Sequence, residues 1–137
     1  MALIHLDAGV LIGFLDAEDV HHRAARSAIA DAIDRADRLE MAASALAECL
    51  VGPARRGDDA VDLVHDLRQR LPIAIVPLDV DIATAAARVG ARHRSLRLPD
   101  ALVIATAEVG GADHLVTTDR RWPSARALEL AATLRTL

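Results

Sequence analysis

The stretch that most constrains this chain is an apolar run that stops on an acid. Leu3, Ile4, His5 and Leu6 form an almost wholly apolar segment that ends at Asp7. Such a run, without polar alternation, reads as a strand buried on both faces, as in a parallel sheet covered by helices. Ala8 and Gly9 then predict a tight turn, and Val10, Leu11, Ile12, Phe14 and Leu15 supply the apolar face of a short helix that packs back on the sheet. Open α/β sheets gather their ligands at the carboxyl ends of their strands. Asp7 stands there, so it is the leading functional candidate.

The rest of the chain alternates in the same way. A helix is expected from Glu18 or Asp19 through Asp37, with His21 and His22 pointing apart on its surface, followed by a strand over Leu39 to Ala43. Ser44 is a natural N-cap for a helix from Ala45 to Ala54 that carries Glu48 among Leu46, Leu50 and Val51, and Gly52-Pro53 and Gly57 break the pattern. Asp58 or Asp59 starts a helix to about Leu71, Pro72 stops it, and Ile73 to Val76 is a third strand. Asp79 or Asp81 caps a helix ending near His93. Pro99 and Asp100 occupy the first turn of another, which Gly110-Gly111 ends. Leu115 to Thr118 is a fourth strand ending on Asp119, and Ala127 to Leu130 is assigned as a fifth, edge strand before a short C-terminal helix. Strands and helices alternating in this way predict right-handed βαβ crossovers and a parallel sheet.

Composition removes several chemistries. The 137 residues fit one domain, 1–137, and the hydrophobic content of 53% comes without an apolar run of transmembrane length. Met1-Ala2-Leu3 lacks the basic start of a signal peptide, so a cytoplasmic protein with no membrane partner is expected. The single Cys49 makes no intramolecular disulfide, and no Cys/His cluster has zinc spacing. All 16 basic residues are Arg, which excludes the P-loop, Schiff-base enzymes and every site that needs a lysine ammonium. The net charge of -4 argues by itself against a nucleic-acid partner.

Four acids stand out by position: Asp7 and Asp119 at strand ends, Glu48 in an apolar helix, and Asp100 at a helix N-terminus. Each alone has a structural explanation: a dipole partner for Asp100, a turn residue for Asp119, half of an Arg pair for Glu48. Strand ends of a parallel sheet converge on one edge, however, and clustered carboxylates are best compensated by a hard divalent cation with oxygen ligands. The four acids equal the whole formal excess of -4, so the charge objection to a nucleic-acid partner weakens once a metal is bound. Arg92, Arg94 and Arg97 before Asp100, and Arg120-Arg121 after Asp119, place guanidinium groups near the rim, with Arg97 and Arg120 the candidates for substrate phosphate.

The order LDAGVLI, SALAECL, LPDALVIATA and LVTTDRRW resembles the PIN domain family, and most of all the toxin ribonucleases of VapBC toxin-antitoxin pairs. The resemblance implies a three-layer α/β/α sandwich with a central parallel sheet of four to five strands. It implies that Asp7, Glu48, Asp100 and Asp119 hold Mg²⁺ or Mn²⁺, with Thr117 as the hydroxyl beside the last acid. It also implies a cognate VapB-like antitoxin and a homodimer. One position departs: the family usually has Ser, Thr or Asn two residues after the first Asp, and this chain has Gly9. The implied activity is metal-dependent endoribonuclease, in which Mg²⁺ can activate water, neutralise a non-bridging oxygen and stabilise the leaving 3′ oxygen. Asp7 and Asp100 would bind directly, Asp119 directly or through water, and Glu48 would orient water or serve a second metal.

Three rivals remain on sequence grounds. A metal-independent ribonuclease needs a His acid/base pair, and none of the six His sits at a strand end beside Asp7. Haloacid-dehalogenase-like phosphatases and receiver domains use a Lys that this chain lacks. A catalytically silent PIN-like module that only binds RNA or protein is the alternative from a different class, with Gly9 as its signal. Phe14 and Trp122 are too few to form a base-stacking platform, so any sequence choice must come from shape and polar contacts.

Overall fold

The computed structural model describes all residues, Met1–Leu137. Strands β1 (Leu3–Leu6), β2 (Arg38–Ala42), β3 (Ile73–Val76), β4 (His114–Thr117) and β5 (Thr133–Thr136) pair in parallel in the order β3-β2-β1-β4-β5. Six helices connect and cover them: α1 (Ala8–Leu15), α2 (His22–Asp34), α3 (Ala43–Arg56), α4 (Asp58–Gln69), α5 (Val80–Arg92) and α6 (Leu98–Val109). The chain moves outward from β1 through β2 to β3, then returns to the other side of β1 as β4. Right-handed crossovers in opposite directions put their helices on opposite faces, which gives three layers. The reversal makes β1 and β4 the switch point of the sheet, and the crevice at their carboxyl ends is where such sheets bind ligands.

The apolar run of β1 is buried at all four positions, as a central strand requires. Its start is anchored by two acids at the far end from Asp7. The Asp113 carboxylate accepts the Leu3 N–H at 2.7 Å, and Asp37 accepts the Ala2 N–H at 2.9 Å. Arg35 donates to Asp37 as well, at 2.9 Å, and these bonds, the one from Ala2 foremost, hold its carboxyl below the usual range. His5 is a packed core histidine: it is fully buried, and its Nδ1 lies 3.0 Å from Glu40 Oε1 on the paired position of β2. The core runs from Leu3 to Leu128 and includes Leu11, Ile29, Met41, Ile104 and Leu115.

Several boundaries differ from the sequence expectation. The fifth strand is Thr133–Thr136, and Ala127 to Leu130 is a turn with no helix after it. Alternation of Thr133, Leu134, Arg135 and Thr136 suits an edge strand, whereas Glu129 adopts φ 54°, which no strand permits. Helix α2 begins at His22, because Asp16 and Asp19 turn the chain first by accepting the N–H groups of Glu18 and His21. His22 is half-buried and bonds the Gly13 carbonyl at 2.7 Å, and His114 bonds the Thr133 hydroxyl. Ser44 lies inside α3, whose N-cap is Ala42, and the helix runs through Pro53 to Gly57 at φ 124°. Asp79, not Asp81, caps α5 by accepting the Ile82 N–H at 2.8 Å.

Helix α2 ends through Ala36 at φ 56°, where the Asp37 N–H reaches the Ala32 carbonyl. A Cβ in this region costs about 1 kcal/mol, so Ala36→Gly is expected to raise the midpoint of chemical denaturation by about that stability. Asp79→Ala is expected to lower it by about 1 kcal/mol through loss of the cap. Urea titrations of both variants check these signs.

Candidate functional site

Asp7 is the N-cap of α1 and follows β1, so strand end and helix start fix its side chain together. One carboxylate oxygen accepts the Ala8 N–H at 2.8 Å, and the other accepts the Thr117 hydroxyl at 2.7 Å. Thr117, the last residue of β4 and fully buried, also accepts the Asp119 N–H at 3.1 Å. One hydroxyl therefore ties the end of β4 to the end of β1 and sets the loop carrying Asp119. Asp7 itself is only 9% exposed.

The other acids surround it at different depths. Asp100 sits three residues past the N-cap of α6, half-buried, and accepts the Arg97 N–H at 3.3 Å while the Arg97 guanidinium stands 3.7 Å away. Asp119 is gripped by Arg121, whose Nε and Nη2 each donate at 3.0 Å to a different carboxylate oxygen. Glu48 is exposed on α3, not buried with an arginine partner as its apolar neighbours suggested. Only one side of the helix reaches the core there, through Ala45 and Cys49. Arg120 is exposed beside the site, and Arg92 is paired with Glu129 at 3.1 Å.

Charge couples these groups. Burial pushes the Asp7 carboxyl upward against the pull of its hydrogen bonds to Thr117 and Ala8, and the charges of Asp100 and Asp119 push it further. Glu48, although exposed as a residue, is also raised, first by partial loss of solvation around its carboxyl and then by Asp7 and Asp100, with Arg97 opposing. Asp119 is lowered, chiefly by the hydrogen bond from Arg121. The Cys49 thiol, buried between Glu48 and the Ala8 carbonyl 3.6 Å away, is pushed up to about 12 and is inert as a nucleophile. No histidine is among the groups that perturb these acids.

Four carboxylates and a hydroxyl, with no thiolate or imidazole among them, are the donor set of a hard divalent cation. Asp7 and Glu48 are held above their usual range first by burial and then by neighbouring acids, Asp100 and Asp119 for Asp7 and Asp7 and Asp100 for Glu48, a charge density that a cation would relieve. In this structure no three of these acids stand close enough together to hold an ion. Arginines take the place of positive charge at Asp119 and Asp100. Thr118 was not anticipated as part of this region: an ideal Cβ on Gly9 would lie 2.0 Å from its Oγ1. No sequence pattern marks such a contact across 109 positions.

The raised Glu48 carboxyl has a stability consequence. A carboxyl that binds its proton more tightly when folded favours folding fully below its unfolded value, about 4.3, and loses that advantage as pH rises through the folded value. At neutral pH the whole penalty is present. Glu48→Gln is therefore expected to melt higher than the parent chain at pH 7 in EDTA, and equally near about pH 3, where both states are protonated. Thermal melts at the two pH values check this.

The PIN domain model matches residues 4–128. No curated protein matches this sequence significantly. Among solved structures, the fold is similar to VapC20 of Mycobacterium tuberculosis, a sarcin-ricin loop cleaving toxin, with TM-score 0.65 and 17% identity over 82% of this chain and 86% of that one. It is similar to VapBC2 of Rickettsia felis, bound to a DNA fragment from its promoter, with TM-score 0.72 and 11% identity over 98% of both chains. A toxin-antitoxin complex from Klebsiella pneumoniae matches with TM-score 0.64 and 22% identity over 88% of each chain. At these identities the structures bear on the fold alone, while the family model spans nearly the whole chain, and on that ground the protein belongs to the PIN domain family.

Proposed function

We propose that this chain is a divalent-metal-dependent endoribonuclease, the toxin of a toxin-antitoxin pair acting in the cytoplasm. The observation that carries the reading is the Asp7 carboxylate at the sheet's switch point, held by Thr117 and raised first by its burial and then by the charges of Asp100 and Asp119. Membership of the PIN family and the likeness to VapC folds support it. Asp7 and Asp100 would hold Mg²⁺ or Mn²⁺, with Asp119 and Glu48 contributing directly or through water. An ion held there would supply positive charge to phosphate oxygens and ease the loss of a proton from water, so that the resulting hydroxide can attack phosphorus.

The chain's own residues do the rest. Thr117 fixes Asp7 and, through the Asp119 N–H, the distance between two acids. Arg97 and Arg120 stand exposed at the rim, suited to phosphates on either side of the scissile bond. Arg121 is the charge that Asp119 must release for a cation to take its place. Trp122 is buried and Phe14 half-buried, so bases are chosen without stacking.

The antitoxin reading rests on the fold likeness to VapBC complexes from Rickettsia felis, nontypeable Haemophilus influenzae and Salmonella typhimurium. A groove of about 550 Å³ between α1, α3 and α4, lined by Ile12, Leu15, Leu63 and Val64, reaches Glu48. An apolar partner segment carrying an arginine would fit both its wall and its acidic end. A homodimer belongs to the same reading.

Purified protein is expected to cleave RNA in Mg²⁺ or Mn²⁺, to lose activity in EDTA, and to leave 5′-phosphate and 3′-hydroxyl ends, because water and not the ribose 2′ oxygen is the nucleophile. Cyclic 2′,3′-phosphate products would reject the mechanism. Asp7→Asn should lower the rate by about 10²-fold or more with an unchanged far-UV spectrum, while Asp79→Asn keeps the parent rate. RNA binding without cleavage in Mn²⁺ would favour the catalytically silent module instead.

A further inference from the structure

Gly9 and Thr118 occupy one space between them. Gly9 lies in the first turn of α1, two residues past Asp7, and Thr118 follows the threonine that holds Asp7. A Cβ built on Gly9 would stand 2.0 Å from Thr118 Oγ1, 3.3 Å from its Cβ and 3.5 Å from its Cγ2. The hydroxyl thus sits where any side chain at position 9 would begin. Gly9 is not among the residues of positive φ, so its backbone does not demand glycine. The neighbouring hydroxyl, in the position it holds, leaves no room for a Cβ.

Thr118 could make room only by rotating its hydroxyl away, since its three staggered positions hold Oγ1, Cγ2 and a hydrogen. A hydroxyl on residue 9 and a hydroxyl on residue 118 at this spot are therefore mutually exclusive. Thr117 has both its donor and an acceptor position engaged, by Asp7 and by the Asp119 N–H, whereas Thr118 is half-exposed and its hydroxyl makes no hydrogen bond within the protein. It is a polar group with free hydrogen-bonding capacity at the first turn of the helix that Asp7 caps.

We propose that Thr118 is a positioning residue of the acidic site: seated over Gly9, its hydroxyl orients water beside Asp7 and so strengthens cation binding there, and glycine at position 9 is what admits it. The proposal rests on the metal-site reading above and deepens it. Gly9, which as sequence looks like a missing polar contact, becomes half of an exchange in which the hydroxyl comes from β4's end instead of from α1.

The test uses Thr118→Ala, Thr118→Ser, Gly9→Ser and the double variant Gly9→Ser with Thr118→Ala, each full length. Two readouts are taken: Mn²⁺ affinity by calorimetry and thermal melts in EDTA. Thr118→Ala is expected to bind Mn²⁺ about threefold to tenfold more weakly, the scale of one hydrogen bond, and Thr118→Ser to bind like the parent chain. Gly9→Ser alone should melt lower in EDTA and bind more weakly, because two side chains then claim one site. The double variant should recover both properties, its remaining Cβ contact of 3.3 Å needing a shift of only a few tenths of an ångström.

Parent-like binding by Thr118→Ala, or equal weakening by Thr118→Ala and Thr118→Ser, would overturn the hydroxyl's role. Parent-like melting of Gly9→Ser would overturn the exclusion. If the parent chain itself bound no Mn²⁺, the metal-site reading would fail and the positioning role with it. The EDTA melts would still report whether positions 9 and 118 compete, so the two failures are distinguishable.

Discussion

The hydrogen bond from Thr117 to Asp7 is the contact on which the site depends. It joins the carboxyl ends of β1 and β4 across the point where the sheet changes direction, and it is made by a fully buried hydroxyl to a carboxylate that is 9% exposed. Burying a carboxylate is costly unless its oxygens are satisfied, and here a helix N–H and a hydroxyl satisfy one each. These bonds offset part of the burial and do not cancel it, since Asp7 remains raised. A group kept at this cost, facing other acids, is poised for a positive partner.

The partners present are arginines, and they are unequally placed. Arg121 grips Asp119 with a fork in an exposed position, where an ion pair adds little to stability and is readily exchanged. Arg97 stands farther from Asp100, at 3.7 Å. Asp7 has no arginine at all, so the charge that most lacks compensation is the deepest one. A chain without lysine has only guanidinium groups for this purpose, and their planar fork suits both carboxylate and phosphate. On the proposed function, the same side chains would serve the acids before RNA arrives and the phosphates afterwards.

Much of the architecture was legible because short, mostly apolar runs alternate along the chain with stretches of helical periodicity. The first four strands and the six helices followed from periodicity and punctuation, while the choice between Asp79 and Asp81 as the cap of α5 needed the structure. The last strand did not, because Thr133 to Thr136 is an exposed edge with few apolar residues, while Leu128 and Leu130 mimic a buried strand and pack from a turn. The start of α3 was hidden by Ser44, a good cap that the helix passes over, and its end by Pro53, which the helix absorbs. At the site, position along strands and helices singled out Asp7, Glu48, Asp100 and Asp119, and in the structure Asp100 and Asp119 act on Asp7 while Asp7 and Asp100 act on Glu48. What no spacing could reveal was the grip of Arg121 on Asp119, the exposure of Glu48, and the Thr118 hydroxyl over Gly9. Each is a contact in three dimensions between residue types common everywhere.

On the proposed function, these acids form a cation site closed by the chain's own arginines. Crystals grown with Mn²⁺ and measured near the manganese absorption edge decide the matter. The expected result is an anomalous peak bonded to Asp7 and Asp100, with the Arg121 guanidinium withdrawn from Asp119. No peak at Asp7, with Arg121 still forked on Asp119 at saturating Mn²⁺, would contradict it.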